Sequence, residues 1–234
     1  MENICLEGIV VSSLIYKEKS KIVYLYTKDG MVSFRALGSL NEKKGMLPLT
    51  TTINHLSVIM SNKAFPRALD YTLLDSYEYI KSDLKKTLFM QYILEIISKL
   101  PEDSPHERVF NLLKRILELF KDYDGLMLTT IFMIKMTYSF GVAPILKKCV
   151  ICNKQNTMYF SIRDGGALCS EHYKRDVFNK DILDKIKEIY YLDIYNESLD
   201  RIKDYDMIEL FRIVNLYYNN HVDIYLKGAS SLIF

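Results

Sequence analysis

The chain has 234 residues, of which 49% are hydrophobic and 26% are charged, and its formal net charge at pH 7 is +2. This composition excludes a disordered protein, and the near-neutral total charge favours no class of partner. The most apolar stretch, residues 125–144, contains Lys135 and falls short of the roughly 18 uninterrupted apolar residues that a membrane span requires. Cys5 stands alone while three other cysteines cluster, which is unlike a secreted disulfide framework. We therefore expect a cytoplasmic protein that does not cross a membrane.

Residues 1–80 are predicted to form a small antiparallel β-barrel. Their β-branched and aromatic runs indicate five strands, and the turn Lys28-Asp29-Gly30 joins the second strand to the third. Gly8 lies inside the first run and predicts a bulge or a sharp bend, which a five-stranded barrel needs in order to close. The predicted strands are residues 5–16, 21–27, 31–37, 51–60 and 67–80.

From about residue 81 the apolar residues recur at helical spacing, which predicts a helical bundle. A nearly all-apolar helix over residues 126–140, followed by Gly141 and Pro144, is expected at the centre of this bundle. Further helical patterns cover residues 179–192 and 206–226. The segment between the central helix and residue 179 differs in composition from the helices on either side of it.

That segment, residues 147–176, predicts a zinc site. Its candidate ligands are spaced Cys149-x2-Cys152, then 16 residues, then Cys169-x2-His172. Two short ligand pairs separated by a loop place four soft donors around a tetrahedral Zn²⁺, and an Asp-Gly-Gly turn between the pairs predicts a hairpin that brings them together. Four protein ligands leave no position for water or substrate, so the predicted single ion is structural.

Other interpretations of the cysteines stay open. Cys149 and Cys152 could form a redox pair, although the βαβ context of such motifs is missing. The three cysteines could be small buried apolar residues, or His172 could fail to bind in a decayed site.

Basic residues are concentrated in two regions. Residues 17–67 carry nine basic and three acidic side chains, a formal +6, and residues 147–175 carry six and two, a formal +4. Cations that follow phosphates and rings that stack on bases are how small barrels hold single-stranded nucleic acid. Each region could instead be an ordinary solvated face. The candidate nucleic-acid contacts are Lys19, Lys21, Arg35, Lys43, Lys44, Lys147, Lys148 and Arg175.

The sequence contains no common catalytic motif. It lacks the glycine-rich loops that bind phosphates or dinucleotides, the Gly-x-Ser-x-Gly motif of serine hydrolases and the His-Glu-x-x-His motif of zinc proteases. Three of its histidines, His55, His106 and His221, are far apart in the sequence. We expect a binding protein that is not an enzyme. A zinc-stabilised protein–protein adaptor with incidental nucleic-acid contact is the main alternative, and a zinc-dependent enzyme is disfavoured by the closed ligand set.

Several segments of the chain resemble the RecO family of bacterial recombination mediators. "EGIVVSSLIYKEKSKIVYLYTKDG" is similar to the opening of that family, at Glu7 to Val10, Tyr16, Ser20 to Thr27 and Gly30. "YSFGVAPILKKCVIC" followed by "FSIRDGGALC" resembles its helix end and cysteine segment, and "HVDIYLKGASSLI" resembles its C-terminal segment. His172 stands where many relatives have Cys, and Lys43 and Lys44 lie in a loosely matching segment.

The resemblance implies an α+β, multidomain fold. Its parts would be an OB-type barrel (1–80), a helical domain in two parts (81–146 and 177–234) and a zinc-ribbon-like insertion (147–176). It also implies a nucleoid-associated mediator that binds single- and double-stranded DNA, anneals complementary strands, and works with RecR and single-strand-binding protein to load RecA.

Overall fold

The computed structural model describes residues 3–41, 45–222 and 226, and it has the predicted α+β composition. The chain divides into two compact units, Met1–Leu117 and Glu118–Phe234. The elements of the first unit are β1 (Ile4–Tyr16), β2 (Ser20–Thr27), β3 (Gly30–Ala36), α1 (Leu47–Thr50), β4 (His55–Met60), β5 (Ala68–Asp75), α2 (Glu78–Lys81), α3 (Leu84–Ile97) and α4 (His106–Leu119), which ends just past the boundary. The second unit contains α5 (Gly125–Met136), β6 (Tyr159–Ser161), β7 (Gly166–Leu168), α6 (Lys180–Tyr191) and α7 (Met207–His221).

The five strands of the first unit form one antiparallel sheet in the order β3-β2-β1-β4-β5. The two edges of this sheet meet where Arg35, in β3, pairs in parallel with Arg67, directly before β5. The backbone N–H of Arg35 donates to the carbonyl of Pro66 at 3.0 Å. The joined sheet encloses an apolar core of Val10, Val23, Leu25, Phe34, Ala36, Leu49, Leu56, Val58 and Met60.

The irregularity in β1 is not at Gly8, where the sequence predicts it. Gly8 keeps regular register with Thr27 on β2 and Leu56 on β4, and the register against β2 shifts between Val10 and Ser12. Gly8 has a different role, since a Cβ there would lie 2.6 Å from Cγ of Leu25 and 2.7 Å from the carbonyl oxygen of Tyr26. A close approach of strands therefore requires glycine at this position.

The predicted fifth strand is too long at its C-terminal end. β5 ends at Asp75, and Tyr77 takes a left-handed conformation with φ of 48° before the short helix α2. Burial of Ile80 in α2 accounts for the apolar residue that the sequence pattern assigns to a strand.

The second unit is built around α5, the predicted central helix. Nearly all of its side chains are buried, and it packs against α6 and α7. The hydroxyl of Tyr218 on α7 donates to the carbonyl of Met133 on α5 at 2.9 Å. Three helices of this unit have N-capping side chains. Asp124, Asn179 and Asp206 accept hydrogen bonds from backbone N–H groups in the first turns of α5, α6 and α7 respectively.

The β6–β7 hairpin lies between α5 and α6, in the predicted order. The four-part domain division stays a prediction. Within the described residues, no helix is both long enough and apolar enough to cross a membrane.

The close approach at Gly8 predicts a stability defect. Gly8→Ala should lower the free energy of unfolding by about 1–3 kcal/mol, because the added methyl overpacks against Leu25 and the backbone of β2. Chemical denaturation of the full chain measures this loss. Cys5→Ala, an exposed change on the same strand, should stay within about 0.5 kcal/mol of wild type. Equal midpoints for the two variants would contradict the packing argument.

Candidate metal centre and nucleic-acid interface

Cys149, Cys152, Cys169 and His172 come together in the second unit, as their spacing predicts. Their donor atoms all lie within 4.8 Å of one another, so the cluster could hold a metal ion. The sulfurs of Cys152 and Cys169 are 3.7 Å apart, and Nδ1 of His172 lies 3.3 Å from the sulfur of Cys169 and 3.7 Å from that of Cys149. All three cysteines are free thiols.

These distances match the edges of a metal-centred tetrahedron. With a metal–sulfur distance of about 2.3 Å and a metal–nitrogen distance of about 2.0 Å, two sulfurs lie about 3.8 Å apart and a sulfur and a nitrogen about 3.5 Å apart. A disulfide would instead need sulfurs about 2.05 Å apart. The donor set therefore fits a four-coordinate ion better than a redox pair.

Two tight turns position the ligand pairs. Asn153 adopts φ of 63°, which lets its N–H donate to the carbonyl of Cys149 at 2.9 Å and curls the chain around the first pair. Cys169 precedes a single 3₁₀ turn, Ser170–His172, in which the N–H of His172 donates to the carbonyl of Cys169 at 3.1 Å. Lys154 and Glu171 form an ion pair at 2.6 Å between the two turns.

Backbone hydrogen bonds favour the thiolate form of Cys149. Burial alone raises the pKa of this thiol, but hydrogen bonds from the backbone at Cys152, Cys169 and Ile151 outweigh burial and lower the pKa to about 6. The thiolate is the form of cysteine that binds metal ions. The local backbone thus prepares one ligand in its binding form.

The predicted hairpin forms between the two ligand pairs and is fixed to α7. Gly166 in β7 lies so close to Ile145 that a Cβ would meet the Ile145 carbonyl oxygen at 2.3 Å. The ring of Phe160 stacks on Tyr217 with centroids 6.0 Å apart. His221, at the end of α7, donates from Nε2 to the carbonyl of Ile162 at 2.5 Å. Sequence analysis missed these anchors because their partners are distant in the chain.

The predicted DNA contacts of the first unit do not share one face. Lys19 is exposed in the β1–β2 turn. Lys21 pairs with Ile15 and reaches Thr50 of α1 at 3.5 Å. Arg35 is half-buried and pairs with Ile22, the neighbour of Lys21 on β2. Because successive residues of a strand point to opposite faces, Arg35 and Lys21 lie on opposite faces of the sheet. Lys43 and Lys44 lie outside the described residues.

In the second unit, Lys147, Lys148 and Arg175 are exposed beside the metal cluster. The ammonium of Lys147 lies 4.7 Å from the ring centroid of Tyr191. These three cations flank the two ligand pairs, so the cysteine segment presents positive charge to solvent.

Strand alternation decides which of the barrel aromatics is exposed. Val23 and Leu25 face the core, so Tyr24 and Tyr26 point away from it. Tyr26 is nevertheless buried, because its hydroxyl meets Nδ1 of His106 on α4 at 3.1 Å. The ring of Tyr26 also packs beside Phe110 of α4, with centroids 6.3 Å apart. Tyr24 is half-buried.

One aromatic residue of this surface was not predicted as part of a site. Phe65, between β4 and β5, is 40% exposed and contacts both Arg35 and Tyr16. The sequence could have indicated that Phe65 is exposed, because it lies between the cations Lys63 and Arg67, and an apolar ring between two cations is unusual for a buried position.

Comparison with known proteins identifies a consistent set of relatives. The family model described as "Recombination protein O C terminal" matches residues 81–229, more than half of the chain. The chain is 26% identical to DNA repair protein RecO of Bacillus mycoides (strain KBAB4) over 230 residues, which cover 94% of this chain and 93% of that protein. It is also 26% identical to DNA repair protein RecO of Bacillus cereus (strain AH187) over 235 residues, which cover 97% and 95%. The similarity therefore spans both units.

Cobalt titration tests the four-donor cluster. Co²⁺ bound to three thiolates and one imidazole absorbs strongly in the visible range, so the wild-type chain should develop this spectrum. Removal of a residue that only hydrogen-bonds a metal ligand typically lowers metal affinity by roughly 10–100-fold. Cys152→Ser removes a ligand itself, so it should lower the affinity for Co²⁺ by more than this.

Cys5→Ser is the matched control, because it removes an exposed cysteine outside the cluster. It should leave the titration unchanged. A wild-type chain that gives no cobalt–thiolate bands would contradict the metal centre.

Proposed function

The chain belongs to the RecO family, and from this premise we propose that it is a DNA repair and recombination mediator that binds DNA and performs no bond chemistry. The observation that carries the proposal is the similarity to proteins named DNA repair protein RecO over nearly the full chain. The proposed activities are binding of single- and double-stranded DNA, annealing of complementary strands, and loading of RecA together with RecR onto strands covered by single-strand-binding protein.

The five-stranded sheet of the first unit is proposed to be an OB-type barrel. Five antiparallel strands in the order β3-β2-β1-β4-β5, with β3 bridged in parallel to the start of β5, support this assignment. In such barrels the face of the second and third strands and the β1–β2 and β4–β5 loops bind oligonucleotides. Tyr16 and Phe65 lie beside those two loops.

The cysteine segment is proposed to hold one structural Zn²⁺. The Cys3His donor set is of the soft type that zinc prefers, and four protein ligands leave no open position for a substrate. The ion would tie the two turns of the insertion together, and the anchors to α7 would connect this ordered segment with the helices of the second unit. This arrangement also supports a binding protein over a zinc-dependent enzyme.

Exposed cations are proposed to neutralise phosphates. Lys19 in the first unit and Lys147, Lys148 and Arg175 in the second are all exposed, and Lys21, Lys43 and Lys44 stay predicted contacts. Arg35 differs from these, because its guanidinium group is already engaged by Phe65. Lower repulsion between strands would favour annealing without any covalent step.

Counterion release predicts how DNA binding depends on salt. The logarithm of the affinity for single-stranded DNA should fall linearly with the logarithm of salt concentration, by about 0.7 for each phosphate neutralised. The double variant Lys148→Glu with Arg175→Glu should bind more weakly and with a shallower slope. Fluorescence anisotropy with a labelled oligonucleotide at several salt concentrations measures both quantities.

Lys203→Glu is the matched control, because it reverses an exposed charge in the acidic stretch of residues 180–210. It should change neither affinity nor slope. If the wild-type protein does not bind oligonucleotides at low salt, the proposed function is refuted. If the salt slope is unchanged in the double variant, the cysteine segment does not contribute to DNA binding.

Zinc removal should destabilise the second unit. The purified chain is expected to contain one zinc ion, and a strong chelator should lower the melting temperature and expose residues 147–176 to protease, because metal binding contributes folding free energy to small sites. Added Zn²⁺ should restore both properties. A chelated protein with unchanged melting and protease resistance would contradict a structural ion.

A further inference from the structure

We propose that Tyr16 and Phe65 form a stacking site for the bases of single-stranded nucleic acid on the outer face of the first sheet. This inference rests on the proposed function, since it names the side chains that would touch the bases. It is carried by three independent observations: the bulge in β1, the contacts of the two rings, and the charge of the adjoining loops.

The bulge in β1 determines that Tyr16 faces outward. Before the bulge, Val10 pairs with Leu25 and both lie in the core. Past the bulge, Tyr16 pairs with Ser20, in line with Ile22 and Tyr24 on the outer face. Without the extra residue at Val11, strand alternation would place Tyr16 on the same side as Val10. Bulges that re-aim a side chain in this way are common next to binding sites.

The rings of Tyr16 and Phe65 form a small platform. Their centroids are 6.0 Å apart and their planes are nearly perpendicular, at 85°. The guanidinium carbon of Arg35 lies 4.5 Å from the Phe65 centroid, and the ammonium of Lys17 lies 5.4 Å from the Tyr16 centroid. Each ring is therefore held beside a cation.

The platform is partly open to solvent although it is apolar. Phe65 is 40% exposed, Tyr16 is half-buried, and Leu14 on the same outer face is 56% exposed. Exposed rings normally gain from being covered, because burying apolar area is favourable.

The charge of the adjoining loops favours a polyanion as the occupant. The stretch Ser61–Arg67 contains Lys63 and Arg67 and no acidic residue, and the β1–β2 turn contributes Lys17 and Lys19 against Glu18. Single-stranded nucleic acid combines planar bases with a phosphate backbone, and proteins hold it with aromatic rings set in a cationic groove. A neutral apolar patch on a protein partner would leave these cations without counter-charges.

Arg35 is a positioning residue in this site. One guanidinium nitrogen donates to the carbonyl of Phe65 at 3.0 Å, and the Nε atom is buried. The backbone of Arg35 also joins the edges of the sheet through Pro66. The side chain thus fixes the Phe65 ring, and this role differs from the phosphate contact that the sequence suggests.

Binding to an abasic oligonucleotide separates stacking from phosphate contacts. The full-length chain is titrated with a labelled oligodeoxythymidine and with a backbone of equal length that carries abasic sites, at the same low salt concentration. The wild type should prefer the thymidine oligomer by roughly tenfold or more, given the typical contribution of one stacked base. The double variant Tyr16→Ala with Phe65→Ala should bind both probes almost equally.

Two controls keep this result interpretable. Tyr16→Phe with Phe65→Tyr retains both rings and should retain the preference, and Tyr195→Ala removes a ring that is 52% exposed in the second unit and should also retain it. If Phe65→Ala does not fold, Phe65→Leu keeps the apolar volume without a ring and should lose the preference.

The outcomes distinguish this inference from the proposed function. Steeply salt-dependent binding without preference for bases would overturn the stacking site and leave the proposed function standing. A double variant that keeps the wild-type preference would overturn it as well. A wild type that binds neither probe at low salt would refute both.

Arg35→Gln tests the positioning role. If Arg35 fixes Phe65, this variant should lose preference for bases while its salt slope stays that of the wild type. A slope reduced by about 0.7 with the base preference intact would make Arg35 a phosphate ligand and overturn the assignment.

Discussion

The register of the β1–β2 hairpin decides which side chains of the first unit face solvent. In a strand, a shift of one residue exchanges the two faces, and the bulge between Val10 and Ser12 makes that exchange halfway along β1. The apolar half of the strand fills the core, and the far half directs Tyr16 outward toward Phe65. Both the stability of the sheet and its proposed contact with bases therefore depend on one extra residue in one strand.

The metal cluster has an equivalent role in the second unit. Short turns place the ligand pairs, but the pairs face each other only because the β6–β7 hairpin reverses the chain between them. Contacts with α7, through Phe160 on Tyr217 and His221 on Ile162, then hold the hairpin against a helix. A four-coordinate ion would complete a segment whose own core, of Cys149, Leu168 and Cys169 with a few partly buried neighbours, is too small to be stable alone.

Features that depend on local sequence were predictable, and features that depend on distant partners were not. Strand runs, the turn at Gly30, the central helix and the four clustered donors all follow from nearby residues. Gly8 predicts a bulge or a sharp bend at its own position, but the register shift lies near Val11, because a bulge depends on which residues pair across the sheet. For the same reason the sequence could not show that Lys21 and Arg35 lie on opposite faces, or that Phe65 would meet Tyr16.

Photo-cross-linking tests most directly whether the outer face of the first sheet contacts nucleic acid. An oligonucleotide with photoreactive thymine bases is irradiated with the full-length chain, and the modified residues are identified by mass spectrometry. Because only groups in van der Waals contact with the bases react, modification should concentrate at Tyr16 and Phe65. Modification confined to other regions, such as the acidic stretch of residues 180–210, would contradict this account.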